Sequence, residues 1–312
     1  MKRRLAIGSL MIAGAVSSFS ALRFLTQDSK DFVIRSDVRL VLLDVAVRER
    51  NGGLVGNLTK DNFTVLENGQ PQQLTSFSNE DVPVTIGLLM DESRSMSSKR
   101  NGVLAAAGDF IRTCNRSDEF FVLNFNDTVK RGLPEDQMFS DDMGQLRAAL
   151  YRGRPRGMTA LNDAVVDGLD QLTLGRQERK ALVIVSDGGD NASQHTRAEM
   201  VNMVERSPAT IYSVTLIDPN DPDYNPQLLK QLARISGGEA FFLETPDKLR
   251  EVCEGIGKEI RNRYTMGYTP APGKSGELRR IQVRVSVPGR NGLVARTRTS
   301  YLYGDAPNAE SK

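Results

Sequence analysis

The sequence predicts an α/β protein: a doubly wound, mostly parallel sheet with one antiparallel edge strand, accompanied by a small β-sandwich-like region drawn from both ends of the chain. Three observations carry this expectation. Short apolar runs alternate with amphipathic stretches from residue 82 to residue 263, the succession that yields parallel strands covered by helices on both faces. Period-two apolar patterns occupy the flanking segments, 33–80 and 264–303, as half-buried antiparallel strands require. At 312 residues the chain exceeds one average domain, so a large domain with a smaller companion is the natural division.

In chain order, residues 1–22 read as a signal peptide or an N-terminal anchor. Lys2, Arg3 and Arg4 precede the apolar run Leu5 to Val16, and Ser18, Ser20 and Ala21 supply small residues for cleavage. The run is short for a bilayer span, yet apolar residues continue through Leu22, so cleavage and retention as an anchor both stay open. No cysteine lies nearby, which excludes a lipoprotein anchor. Either way the folded part is expected outside the cytoplasm: periplasmic, secreted or envelope-anchored.

In the first β region Val41, Leu43, Val45 and Val47 alternate along one strand. Asn51-Gly52-Gly53 forms a turn, Thr64-Val65-Leu66 a second strand, Glu67-Asn68-Gly69-Gln70 a second turn, and Leu74 to Phe77 the returning strand. In the central region Val84 to Met90, Phe120 to Phe125, Ala181 to Ser186, Ile211 to Ile217 and Ala240 to Leu243 read as strands. Helical patterns run over Val103 to Thr113, Leu161 to Leu172, Glu199 to Arg206, Gln227 to Ile235 and Asp247 to Ile260. Only Asn126-Asp127 separates Phe125 from Thr128 to Lys130, so these two pieces form a hairpin and supply the antiparallel edge. In the last region Ile281, Val283, Val285 and Val287 alternate, Pro288 to Gly292 is a turn, and Leu293 to Tyr301 is expected to pair back. Residues 304–312 read as a disordered tail.

Composition removes several functions. The net charge of +2 is too small to indicate nucleic-acid binding. One histidine, His195, and two cysteines, Cys114 and Cys253, cannot build a His/Cys zinc site or a Cys₄ iron–sulfur cluster. Any metal must be a hard cation held by oxygens. Export permits a disulfide between Cys114 and Cys253, and two buried thiols fit equally well.

Open α/β sheets bind ligands at the carboxyl ends of their strands, where the strand order reverses. The first central strand delivers Asp91-Glu92-Ser93-Arg94-Ser95 there, and the third delivers Ser186-Asp187-Gly188-Gly189-Asp190. Arg156-Gly157-Met158-Thr159 leads into the helix between them. Two carboxylates and three hydroxyls thus gather at one edge, among them an Asp-x-Ser-x-Ser loop whose alternate side chains aim at one point. Mg²⁺ takes near-octahedral oxygen ligands and retains waters, so such a set suits it. With little protein charge around it, the ion stays electrophilic and is able to accept an outside carboxylate.

Asp91, Ser93, Ser95, Thr159 and Asp187 resemble the metal-ion-dependent adhesion site of von Willebrand factor A-type (VWA) domains, in order and in place along the strand–helix succession. The segment Leu58 to Gly69 and the closing Tyr264 to Tyr268 with its basic hairpin are similar to bacterial VWFA-related proteins abundant in acidobacteria. The resemblance covers nearly all of the chain beyond the export segment. It implies a Rossmann-like central domain over 82–263 and a metal, Mg²⁺ (or Mn²⁺ or Ca²⁺), coordinated directly by Ser93, Ser95 and Thr159, with Asp91 and Asp187 acting mostly through water. It further implies a non-enzymatic protein that binds a carboxylate-bearing protein partner, with no nucleic acid and no membrane contact beyond an uncleaved anchor.

Each piece has a plainer explanation. Asp91 to Ser97 is also a capped turn, Thr159 a helix cap, and Asp187 to Asp190 an ordinary turn. His195 lies in the polar run 191–197 and reads as a solvated residue. Arg152, Arg154 and Arg156 read as a solvated rim that is also suited to selecting acidic partners. A metal-free scaffold and, with less support, a metal-assisted hydrolase are the rival functions.

Overall fold

The computed structural model describes residues 40–217 and 224–304; the export segment 1–22, the start of the first β region and the tail 305–312 lie outside them. Strands β1 (Val41–Glu49), β2 (Phe63–Glu67), β3 (Gln70–Gln72) and β4 (Leu74–Ser78) come first. The central region follows as β5 (Val84–Asp91), α1 (Arg100–Thr113), β6 (Glu119–Phe125), β7 (Val129–Arg131), α2 (Met143–Tyr151), α3 (Leu161–Thr173), β8 (Arg179–Val185) and α4 (Arg197–Arg206). It continues through β9 (Thr210–Leu216), α5 (Pro226–Ser236), β10 (Ala240–Leu243) and α6 (Leu249–Arg261). Strands β11 (Tyr264–Tyr268), β12 (Glu277–Val285), β13 (Leu293–Arg296) and β14 (Ser300–Tyr303) close the chain.

The central sheet has six strands in the order β10-β9-β8-β5-β6-β7. Every pairing is parallel except β6 with β7, the expected antiparallel edge hairpin. All eight residues of β5 are buried, because helices cover both faces of the strand. In contrast, β12 alternates buried and exposed positions, the signature of a strand with one wet face. Helix α1 packs on α6, while α3 packs on α4 and α4 on α5. Each Leu, Ile or Phe withdrawn from water in this core contributes about 1.5–3 kcal/mol.

The flanking strands form two four-stranded antiparallel sheets, β13-β1-β11-β4 and β14-β12-β2-β3. Leu43, Val45, Phe63, Val65, Tyr264, Met266, Ile281 and Val283 pack together in one apolar cluster between them. Asn68 and Gly69 both adopt positive φ, at 49° and 82°, as the two-residue β2–β3 hairpin requires.

Two expectations are corrected. Leu293 to Tyr301 is not one returning strand: β13 pairs with β1 in one sheet, and only β14 pairs with β12 in the other. The chain changes sheets at 297–299, where Thr299 N donates to Ile235 O at 3.0 Å and Arg298 to the carbonyls of Glu205 and Ser300. The Ile235 carbonyl takes the place of a ladder partner for Thr299 N, while the Arg298 bonds come from its guanidinium and hold the crossing in place. Helix α2, absent from the expected elements, fills part of the gap between β7 and α3. It carries a cap, Asp142 Oδ1 accepting from Gln145 N at 2.7 Å, and a buried stripe of Leu146, Ala149 and Leu150.

Candidate functional site

Strand order places β5 between β6 and β8, so the connections leaving β5 depart to opposite sides. The crevice of an open α/β sheet lies at that reversal. Asp91 ends β5 and Ser186-Asp187 follow β8, whose last paired residue, Val185, lies beside Met90. Parallel pairing therefore delivers both acidic loops to one place.

The Ser93 and Ser95 hydroxyls lie 3.0 Å apart, and Ser95 Oγ donates to Asp187 Oδ2 at 2.6 Å. Three oxygens from two loops are thus contiguous. Asp91 is oriented from behind: Oδ1 accepts from Ser93 N at 2.8 Å and Oδ2 from Ser186 Oγ at 2.6 Å. The first bond folds the Asp-x-Ser turn, and the second locks it to the neighbouring strand. Asp91, Ser93, Thr159 and Asp187 are all buried. Burial first, and then the charge of Asp187, push the Asp91 carboxyl up to about 7. Its partners, the Ser93 amide and the Ser186 and Ser93 hydroxyls, leave its charge without a cation.

Thr159 is held by a different route, and no hydrogen bond ties it to Ser93 or Ser95 among the described residues. Its backbone is held by the loop after β8: Thr159 N donates to Asn191 Oδ1 at 2.8 Å, and Asn191 N and Ala192 N donate to Thr159 O at 2.9 and 3.0 Å. Helix α3 begins at Leu161 with Ala160 as its cap residue, so Thr159 is not a helix cap. Its hydroxyl has no hydrogen-bond partner among the described residues. The 152–158 loop is bonded along the first acidic loop, with Arg156 N donating to Glu92 O at 2.9 Å and Arg94 N to Gly157 O at 3.4 Å. Gly157 has φ +73°, and a Cβ there would collide with the Asp127 carboxylate, which accepts from Met158 N at 3.0 Å.

Several supporting residues carried no signal in the sequence. Ser186 was visible only as the residue before Asp187, since its link to Asp91 exists only because β5 and β8 are neighbours. Asn191 and Asp127 position the Thr159 loop from distant segments. Asn162 is tied to Asp190, its side-chain nitrogen donating to Oδ2 at 2.7 Å. Glu92 is also buried, but it faces Arg100, whose Nε donates to Oε2 at 3.0 Å and whose other nitrogen donates to Gly153 O at 2.6 Å. This pair braces the loop.

The von Willebrand factor type A domain family matches residues 85–254 of the chain. The protein belongs to that family. No curated protein matched by sequence. Among solved structures, a von Willebrand factor type A protein from Catenulispora acidiphila is 14% identical, with a TM-score of 0.51 over 86% of this chain and 74% of that one. The vWF domain of the type V pili tip protein Mfa5 from Porphyromonas gingivalis is 13% identical, with a TM-score of 0.49 over 58% of this chain and 95% of that one. At such identity the first likeness speaks for the fold, and the VWA match accounts for the central sheet and its helices.

Elsewhere in the VWA domain, His195 is exposed and its Nδ1 lies 2.7 Å from Asp163 Oδ1. That hydrogen bond, and then the Asp163 charge, raise its pKa. Cys114 and Cys253 are both free thiols. Burial pushes the Cys253 thiol up to about 12 and raises that of Cys114 as well, which disfavours the thiolate form. No helix among the described residues is long and apolar enough to cross a membrane.

Proposed function

We propose that this protein is an exported, non-enzymatic binding module that captures a protein partner through a divalent cation, Mg²⁺ or in its place Mn²⁺ or Ca²⁺. Ser93, Ser95 and Thr159 would hold the ion directly, with Asp91 and Asp187 beside it. The observation that carries this reading is the contiguity of Ser93 Oγ, Ser95 Oγ and Asp187 Oδ2. The donor set fits a hard cation: hydroxyls and carboxylates only, with a Thr159 hydroxyl engaged by nothing else described and a buried aspartate that lacks a countercharge. A bound ion supplies that countercharge and a Lewis-acidic point for a carboxylate from the partner. The protein's own residues orient the donors: Ser186 and Ser93 N fix Asp91, and Asn191 fixes Thr159.

The hydrolase reading has less behind it. His195 and Asp163 form a pair, but no serine hydroxyl donates to the other ring nitrogen among the described residues; Ser193 Oγ donates instead to Asp190 Oδ1, at 2.5 Å. The set of nucleophile, base and orienting acid is therefore incomplete. A metal-free scaffold is the remaining alternative. Titration calorimetry with MgCl₂ and MnCl₂ on the wild type and on Asp91→Ala separates the two. One-site binding lost in the folded variant, with partner capture from envelope extract lost in EDTA, is expected. Capture that persists in EDTA would refute the metal reading.

A further inference from the structure

Beside the candidate metal site the 152–158 loop carries Arg152, Arg154 and Arg156, and the first acidic loop carries Arg94. All four side chains are exposed, and none has an ion-pair partner among the described residues. Exposed arginines without a carboxylate, such as Arg116 and Arg147, occur elsewhere on the surface too; what distinguishes these four is that two loops beside the candidate site carry them together. Of the two acids that touch the loop, Glu92 is paired with Arg100, while Asp127 accepts from Met158 N and adds one negative charge among the arginines, which still leaves the rim cationic. Met158, between these arginines and Thr159, is 50% exposed. The backbone bonds from Arg156 N to Glu92 O and from Arg94 N to Gly157 O hold these cationic positions along the rim of the site.

We infer that the rim selects a polyacidic protein segment: one acid for the site, further acids on either side for Arg94, Arg154 and Arg156, and an apolar side chain for Met158. This deepens the metal-dependent reading and rests on it. Unpaired cations beside an electrophilic point complement a run of acids, steer its approach and disfavour basic or neutral competitors. Arginine suits the task because its planar fork meets carboxylates bidentately. Such exposed contacts are screened by salt, whereas a direct metal–carboxylate contact is much less so.

The test uses the full chain and two fluorescein-labelled peptides, Gly-Glu-Asp-Leu-Glu-Gly and its neutral-flank control Gly-Gln-Asp-Leu-Gln-Gly, followed by anisotropy. In MgCl₂ at low salt the acidic peptide should bind roughly three- to thirtyfold more tightly than the control, as a few exposed ion pairs allow. Raising NaCl to about 0.3 M should close the gap, since the Debye length shrinks. The Arg154→Glu/Arg156→Glu variant should lose the preference while keeping the control's affinity and the wild-type stabilisation by Mg²⁺, which shows that the fold and the ion site survive. EDTA should release both peptides. Equal affinities that charge reversal leaves unchanged would overturn the inference while the metal reading stood. A preference that survives EDTA but vanishes on reversal would support the rim and remove the metal. Failure of the acidic peptide to bind at all would overturn it. So would its displacement by heparin together with no preference between peptides, which would mark a generic polyanion surface.

Discussion

Buried carboxylates occur at two ends of this molecule with opposite surroundings. At the junction between the central sheet and the sandwich, Glu259 is fully buried and accepts from Arg48 Nε at 2.7 Å, Arg296 at 2.5 Å and the Tyr212 hydroxyl at 3.0 Å. Arg263, equally buried, donates to Tyr212 Oη and to the carbonyls of Asp44 and Gly237. Burial works against a charged Glu259, but Arg296, Arg263 and Arg48 outweigh it and hold its carboxyl below the usual range. At the carboxyl edge, Asp91 has the Ser93 amide and the Ser186 and Ser93 hydroxyls but no cation, and its carboxyl is pushed up. The sandwich repeats the first pattern, with Glu67 accepting from Tyr268, Tyr301 and Arg279. The contrast separates two uses of a buried acid. Where its charge is fully matched by the chain, it fastens elements together; at Asp91 the chain supplies hydrogen bonds but no cation.

The largest expected effect tests the fastening end. Glu259→Ala leaves buried Arg263 without a carboxylate and Arg48 and Arg296 with Glu239 alone, and should destabilise the protein by about 3–5 kcal/mol in urea unfolding. A small effect would break the comparison. Next is the binding end. Mg²⁺ at about a hundredfold excess over its Kd should stabilise the wild type by about 2.7 kcal/mol through mass action, and Ser93→Ala/Ser95→Ala should abolish that gain in thermal unfolding with little change in the metal-free protein. Equal Mg²⁺ stabilisation in both would place the ion elsewhere. A smaller effect sharpens the satisfied pattern: Tyr301→Phe removes one of the donors to Glu67 and should cost about 1–2 kcal/mol.

The smallest effect concerns His195, whose pKa is raised in the fold by Asp163. A raised histidine stabilises while the group is protonated in both states, below its unfolded value, and that contribution fades as pH rises through the folded pKa. His195→Gln should therefore lower Tm slightly in mildly acidic buffer and leave it unchanged in alkaline buffer. A Tm difference independent of pH would mean that shape, not charge, makes the contact.

Much of the central fold was legible because its signals are local. The strands β5, β6, β8, β9 and β10 and five helices lie where apolar runs and periodic stretches indicated, and Asn68-Gly69 announced its hairpin by the backbone geometry those residues accept. Helix α2 was overlooked although Asp142 and the Leu146, Ala149, Leu150 stripe marked it, because Gly144 and its short length weaken the pattern. The break at 297–299 was not legible at all, since Leu293 to Tyr301 is uniform in strand character and only the Ile235 and Glu205 carbonyls decide where it leaves one sheet for the other. For the candidate site, the Asp-x-Ser-x-Ser spacing pointed to Asp91, Ser93 and Ser95, while Ser186, Asn191 and Asp127 stayed hidden behind contacts with segments far away in the chain.

The sequence by itself determined most elements of the central sheet and which oxygen-bearing side chains stand at their ends, because both follow from residues a few positions apart. Tertiary structure decided which ends meet. Strand pairing is made by backbone groups that every residue carries, so no local pattern says that β8 lies beside β5; only the assembled sheet does. That adjacency brings Ser95 to Asp187 and Ser186 to Asp91.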